Sequence, residues 1–130
     1  MSAPGNSRLL LDTHVFLWWR VDSPRLREEA RAAISRAELV YVSVVSAWEV
    51  AIKMALGKLE LPAPLEQGVF DSGFERLAIA FSHVQALVSL PMHHRDPFDR
   101  MLVVQAQEEG LTLVTHDDQL RPYDIDVLWT

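Results

Sequence analysis

Arg8-Leu-Leu-Leu-Asp12 is a short, unbroken apolar run that closes on a carboxylate. Its length and its lack of polar alternation suit a strand buried on both faces. Leu39-Val-Tyr-Val-Ser43, Leu77-Ala-Ile-Ala80 and Leu111-Thr-Leu-Val-Thr115 have the same character, and Ile125-Asp-Val-Leu-Trp129 is a weaker fifth. Helical patterns lie between them over 24–37, rich in Arg, Glu and Ala, over 47–56, ending at Gly57, and over 97–109, ending at Gly110. Glycine directly after a periodic run is a helix C-terminal signal. Shorter helices are expected after Asp12, over 65–74 and after Ser82. Strands that alternate with helices predict an α/β fold, a mostly parallel sheet covered on both faces in three layers, because each crossover must return the chain to the same edge.

The chain has 130 residues, 49% hydrophobic and 23% charged, which suits one globular domain over 1–130 and excludes disorder or a fibrous repeat. The opening Met1-Ser-Ala-Pro-Gly-Asn-Ser7 is read as a flexible N-terminus; it has neither the basic flank nor the apolar segment of a secretory signal. Cysteine is absent, which excludes disulfide scaffolds, thiolate metal sites and thiol catalysis. No apolar stretch is long enough for a membrane span, so no membrane association is expected and the cytoplasm is the expected location. Twelve Lys and Arg stand against eighteen Asp and Glu, a formal charge of -6. A polyanionic partner would meet net repulsion unless cations intervene.

In a parallel sheet, ligands bind beyond the carboxyl ends of the strands, so the acids located there carry the most information. Asp12 closes the first strand, Glu49 opens the helix after the second, and Asp117 and Asp118 follow the fourth. Ser46-Ala-Trp-Glu49 also reads as a capping box, with Lys53 as helical partner one turn on. On the same helix Trp48, Ile52, Ala55 and Leu56, with Leu59 beyond, form the expected buried stripe, and Glu49 falls on its border. Asp96-Pro97-Phe98-Asp99 is a helix start with Asp96 as N-cap. Asp99 shares the face of Leu102, Val103 and Ala106, leaving Arg100, Val104, Gln107 and Glu108 outside.

Asp12, Glu49, Asp99 and Asp117 are thus expected in one cleft. Crowded carboxylates raise one another's pKa and call for a cation, and oxygen ligands without Cys point to Mg²⁺ or Mn²⁺. The histidines are weaker candidates: adjacent His93 and His94 cannot share a helical face, while His14 and His116 lie within reach of a substrate near Asp12 and Asp117. His14-Val-Phe-Leu-Trp-Trp19 reads as core, with Trp18 or Trp19 left to seal a partner interface. Arg20, Arg25, Arg27, Arg31 and Arg36 read as a solvated helix face or as a grip on a nucleic-acid backbone.

Leu9-Leu-Leu-Asp-Thr-His14, Ser43-Val-Val-Ser-Ala-Trp-Glu-Val-Ala-Ile-Lys53, His94-Arg-Asp-Pro-Phe-Asp-Arg-Met-Leu102 and Leu113-Val-Thr-His-Asp117 together resemble the PIN domain, in particular the VapC-type toxins of bacterial toxin–antitoxin pairs. The order of the blocks and their end-to-end coverage make the match specific. The resemblance implies a Rossmann-like sheet of about five strands and a Mg²⁺- or Mn²⁺-dependent endoribonuclease. Asp12, Glu49, Asp99 and Asp117 match the family acids; Asp12, Asp99 and Asp117 would hold metal, with Glu49 on the attacking water and Thr115 and Ser46 as supports. Asp117 is preferred to Asp118 because it completes Thr-x-Asp with Thr115, and Asp96 is an extra acid. The resemblance further implies an RNA substrate, a VapB-type antitoxin, and a homodimer or toxin–antitoxin hetero-oligomer.

Three rivals are weighed against this. A receiver-like phosphorylation switch needs a late Lys, and the last here is Lys58; an aspartyl phosphatase needs a second Asp at the position of His14. A PIN-fold RNA-processing nuclease or binding protein without an antitoxin is the alternative that shares the fold.

Overall fold

The computed structural model describes residues 7–130. Of the segment expected to be flexible, residues 1–6 lie outside the described residues; the Ser7 carbonyl accepts from Glu38 N at 2.9 Å and Leu39 N at 3.4 Å. The chain runs β1 (Arg8–Leu11), α1 (Thr13–Arg20), α2 (Glu28–Arg36), β2 (Leu39–Ser43), α3 (Val44–Ala55), α4 (Leu65–Asp71), β3 (Glu75–Leu77), α5 (Phe81–Ala86), α6 (Pro97–Glu109), β4 (Thr112–Thr115) and β5 (Val127–Trp129).

All five strands are parallel, in the order β3-β2-β1-β4-β5. β1 therefore lies at the centre, its Leu10 opposite Tyr41 on one side and Leu113 on the other. Its side chains feed two cores by simple alternation. Leu9 and Leu11 pack with Val15, Phe16, Ala30, Ile34 and Val69 under α1, α2 and α4. Leu10 packs with Val45, Leu102, Val103 and Ala106 under α3 and α6. The result is the expected helix–sheet–helix sandwich. Strand order reverses between β1 and β4, and the crevice beyond their carboxyl ends is where such sheets bind ligands.

Several elements differ from the sequence reading. The helix expected over 24–37 begins only at Glu28, because Leu26 N bonds Ser23 O and Arg25 N bonds Ser23 Oγ in a turn that precedes it. β3 occupies Glu75–Leu77, not 77–80, and β5 shortens to Val127–Trp129. α3 starts three residues ahead of the expected position, directly from the last residue of β2, with Ser43 as its cap: Ser43 Oγ accepts from Val45 N at 3.0 Å. Ser46 consequently sits inside the helix, and the Ser46–Glu49 capping box does not form.

The faces of α3 and α6 also differ. On α3, Val45, Ser46, Glu49 and Val50 are buried, whereas Trp48 is 57% and Leu56 63% exposed. The polar Ser46 and Glu49 turn inward because Thr13 receives them, which rotates the expected stripe outward. On α6, Arg100 and Val104 are buried, not external. Arg100 satisfies its guanidinium on carbonyl groups, donating to Pro91 O at 2.9 Å and Leu90 O at 3.3 Å, which makes its burial tolerable. Asp96 caps α6 as expected, its Oδ1 accepting from Phe98 N at 2.8 Å, and Gly110 closes the helix at φ 66°.

Candidate active site

The carboxyl end of β1 supplies the first acid. Asp12 N donates to Val114 O at 3.0 Å, so the residue continues the β1–β4 ladder by one bond before it caps α1. One carboxylate oxygen accepts from Val15 N at 2.8 Å and the other from Thr115 Oγ1 at 2.6 Å. Burial pushes the Asp12 carboxyl up from its usual value, against the pull of those two donors.

Glu49 is brought to the same rim from α3. Its Oε1 accepts from Thr13 Oγ1 at 2.8 Å, and its Oε2 lies 3.3 Å from Lys53 Nζ. Thr13 Oγ1 is also 2.8 Å from Ser46 Oγ, so two hydroxyl groups stand behind the glutamate. Asp99 comes from the first turn of α6, whose N-terminal dipole favours an acid there. Its carboxyl is pushed up to about 7, first by burial and then by the negative charges of Asp96 and Asp12, with His94 opposing them. Asp117 follows β4 and caps the short turn Asp118–Leu120, accepting from Gln119 N at 3.0 Å.

A histidine joins these acids. His94 Nε2 is 3.1 Å from Asp99 Oδ2 and 2.9 Å from Asp117 Oδ2. These three groups place one donor atom each within 4.8 Å of one another, a spacing suited to a metal ion. The loop that presents His94 is anchored by Tyr123 Oη, which accepts from His94 N at 3.0 Å and His93 N at 3.1 Å. Residues 93 and 94 lie in a loop, as the sequence suggests, where the rule that adjacent residues cannot share a helical face does not weigh against His94. The available signal was its place two residues before the helix cap Asp96, where a side chain can fold back over the helix start.

The cleft, about 510 Å³, is lined by Asp12, Glu49, Asp96, Asp99, Asp117 and Asp118 together with His14, His94, His116 and Gln119. Six carboxylates therefore face one space whose lining includes no Lys or Arg. Asp118 is turned to the rim, where Arg121 Nε meets it at 3.0 Å. Asp96 spends its carboxylate on the helix cap. His14 and His116 flank Trp18, with ring centroids 6.1 and 5.2 Å from it, so Trp18 packs half-buried beside the cleft. Trp19 packs against Phe74 and Arg31.

A parallel five-stranded sheet with acids from β1, α3, α6 and the end of β4 defines a class. The chain belongs to the PIN domain family, whose model matches residues 9–126. It is 31% identical over 118 residues to Ribonuclease VapC22 of Mycobacterium tuberculosis (strain ATCC 25618 / H37Rv), covering 88% of this chain and 91% of that one. Among solved structures, VapBC2 from Rickettsia felis, determined bound to a DNA fragment from its promoter, superposes with a TM-score of 0.68 at 14% identity over 93% of this chain and 97% of that one. FitAcB from Neisseria gonorrhoeae does so with 0.62 at 19% identity over 92% and 96%. These two likenesses concern the fold. Among the described residues no helix is long and apolar enough to cross a membrane.

Proposed function

We propose that this chain is a metal-dependent endoribonuclease and the toxin of a type II toxin–antitoxin pair. The observation that carries the reading is the cleft itself: six carboxylates without a lining Lys or Arg, one of them, Asp99, pushed up to about 7. Such a pocket repels a phosphodiester unless a cation occupies it. The donor set fits a hard divalent ion, Mg²⁺ or Mn²⁺, and Asp12, Asp99 and Asp117 would hold it. When bound, the ion supplies Lewis acidity and neutralises phosphate charge.

The chain's own residues do the rest. Glu49 orients the attacking water and takes its proton; Thr13 and Ser46 fix the carboxylate in place, and Lys53 pairs its outer oxygen. Thr115 holds Asp12 through its hydroxyl and receives Asp117 N at 3.1 Å, so one side chain sets the spacing of two metal-binding acids. Attack in line leaves a 5′-phosphate and a 3′-hydroxyl. Single-stranded or loop RNA is the substrate, since its backbone can enter a narrow cleft.

The name of the curated relative, Ribonuclease VapC22, supports RNA as substrate, and the toxin–antitoxin complexes among the structural relatives support a VapB-type antitoxin as partner. Trp48 and Ile52 of α3, with Leu56 just after it, are an exposed apolar row that such a partner, or a second copy of the toxin, would cover. The reading places the protein in the cytoplasm. The test is cleavage of an RNA panel by purified protein in Mn²⁺ and in EDTA, with Asp99→Asn as control. Metal-dependent cleavage lost in the variant is expected; cleavage that persists in EDTA overturns the mechanism. Expression alone is expected to arrest growth and the neighbouring gene to rescue it, whereas normal growth with soluble protein present favours an RNA-processing nuclease without an antitoxin.

A further inference from the structure

We propose that His94 is a displaceable stand-in for the cation: in the metal-free protein its Nε2–H donates to Asp117 and stands beside Asp99, and the ring gives way when a divalent ion binds. The inference rests on the cation reading of the cleft and adds a residue to it.

Three contacts carry the argument. Nε2 lies 3.1 Å from Asp99 Oδ2 and 2.9 Å from Asp117 Oδ2, and Asp96 N donates to His94 Nδ1 at 3.2 Å. A ring nitrogen that accepts a hydrogen bond carries no hydrogen of its own, so the ring hydrogen is on Nε2, directed at Asp117 Oδ2 with Asp99 Oδ2 beside it. No lone pair is left there for a metal. Ligation through Nε2 would require the hydrogen to move to Nδ1, where it would face the hydrogen of Asp96 N. The tautomer fixed by Asp96 thus makes His94 a donor to Asp117 and a poor ligand.

Its position makes it a competitor. In an N–H···O bond of about 3 Å the hydrogen is about 2 Å from the oxygen, close to the separation of about 2.0–2.1 Å at which Mg²⁺ takes its oxygen ligands. The imidazole hydrogen on Asp117 and a cation held by Asp99 and Asp117 would compete for the same space. Expelling the ring needs no backbone movement. The loop is held by its own amides on Tyr123 Oη, whereas the ring's hydrogen bonds among the described residues are to Asp96 N and Asp117 Oδ2. Asp117 gains from the arrangement, since its carboxylate has a hydrogen-bond donor while no cation is present.

The experiment is a Mn²⁺ titration of wild type, His94→Ala and His94→Asn, followed by the electron paramagnetic resonance of free Mn²⁺, with circular dichroism to establish folding. His94→Ala is expected to bind Mn²⁺ about tenfold more tightly, because the ion no longer breaks the charge-assisted bond to Asp117. Pulsed resonance on wild-type protein labelled with ¹⁵N-histidine is expected to show no nitrogen bound directly to the ion. Equal or weaker binding by folded His94→Ala, or a directly bound histidine nitrogen in wild type, overturns the stand-in. If His94→Ala does not fold, His94→Asn and the wild-type spectrum decide. Wild-type binding with unaltered variant affinity removes only this inference; absence of Mn²⁺ binding in all three removes the cation reading as well.

Discussion

Thr115 Oγ1 donates to Asp12 Oδ2 at 2.6 Å, a bond between residues 103 positions apart that joins the ends of β1 and β4. The same oxygen accepts from Asp117 N. Thr115→Val deletes a donor to a buried acid and an acceptor for a backbone amide, so a loss of about 1.5–3 kcal/mol at pH 7 is expected in urea denaturation. Thr115→Ser keeps the hydroxyl and should recover most of it. Equal losses in the two variants would show that the methyl group, not the hydroxyl, matters.

Asp99 gives the apo protein a pH signature. Its carboxyl rises from 3.8 to about 7 on folding, so between these values the native state holds a proton that the unfolded chain has released. Stability from this group is complete below about pH 4 and is lost as pH rises through 7. Metal-free wild type is expected to unfold at lower urea at pH 7.5 than at pH 5.5. Asp99→Asn should flatten that slope and be at least as stable as wild type at neutral pH, and a slope unchanged in the variant would show that other groups set it.

Cations should reverse the pattern. At a concentration 100 times its dissociation constant, a bound ion adds about 2.7 kcal/mol. Wild type is therefore expected to melt higher in Mn²⁺, with Asp99→Asn showing little change. Asp96→Ala is a useful contrast, since loss of the α6 cap should lower stability by about 1 kcal/mol with or without metal. A Mn²⁺ shift retained by Asp99→Asn would place the ion elsewhere.

Glu49→Gln separates water activation from metal binding. The amide oxygen can still accept from Thr13 and the helix can still pack, so Mn²⁺ affinity should remain near wild type. The single-turnover rate of RNA cleavage is expected to fall about 10²–10⁴-fold, as for loss of a general base. A rate within a few-fold of wild type would assign Glu49 a supporting role.

The strands and the strand-end acids were legible because both depend on local pattern: an apolar run that stops at a polar residue marks a buried strand and its rim. β1, β4 and α6 fell where the sequence placed them. The orientation of α3 was not legible, since Trp48, Ile52 and Leu56 look like a core stripe until Thr13, three dozen residues away, is seen to take Glu49 inward. His94 was missed for a related reason. Its part depends on Tyr123 and Asp96 bending a loop over the start of α6, and no periodicity records that. Arg100 likewise reads as solvent-facing until the carbonyl groups of Leu90 and Pro91 come within its reach.

The central place of β1 has a consequence for biosynthesis. Translation delivers Asp12 well before Asp117, and the crevice has only one wall until β4 slots in beside the first strand. A chain lacking β4 therefore lacks both Asp117 and the strand that closes the crevice beside Asp12.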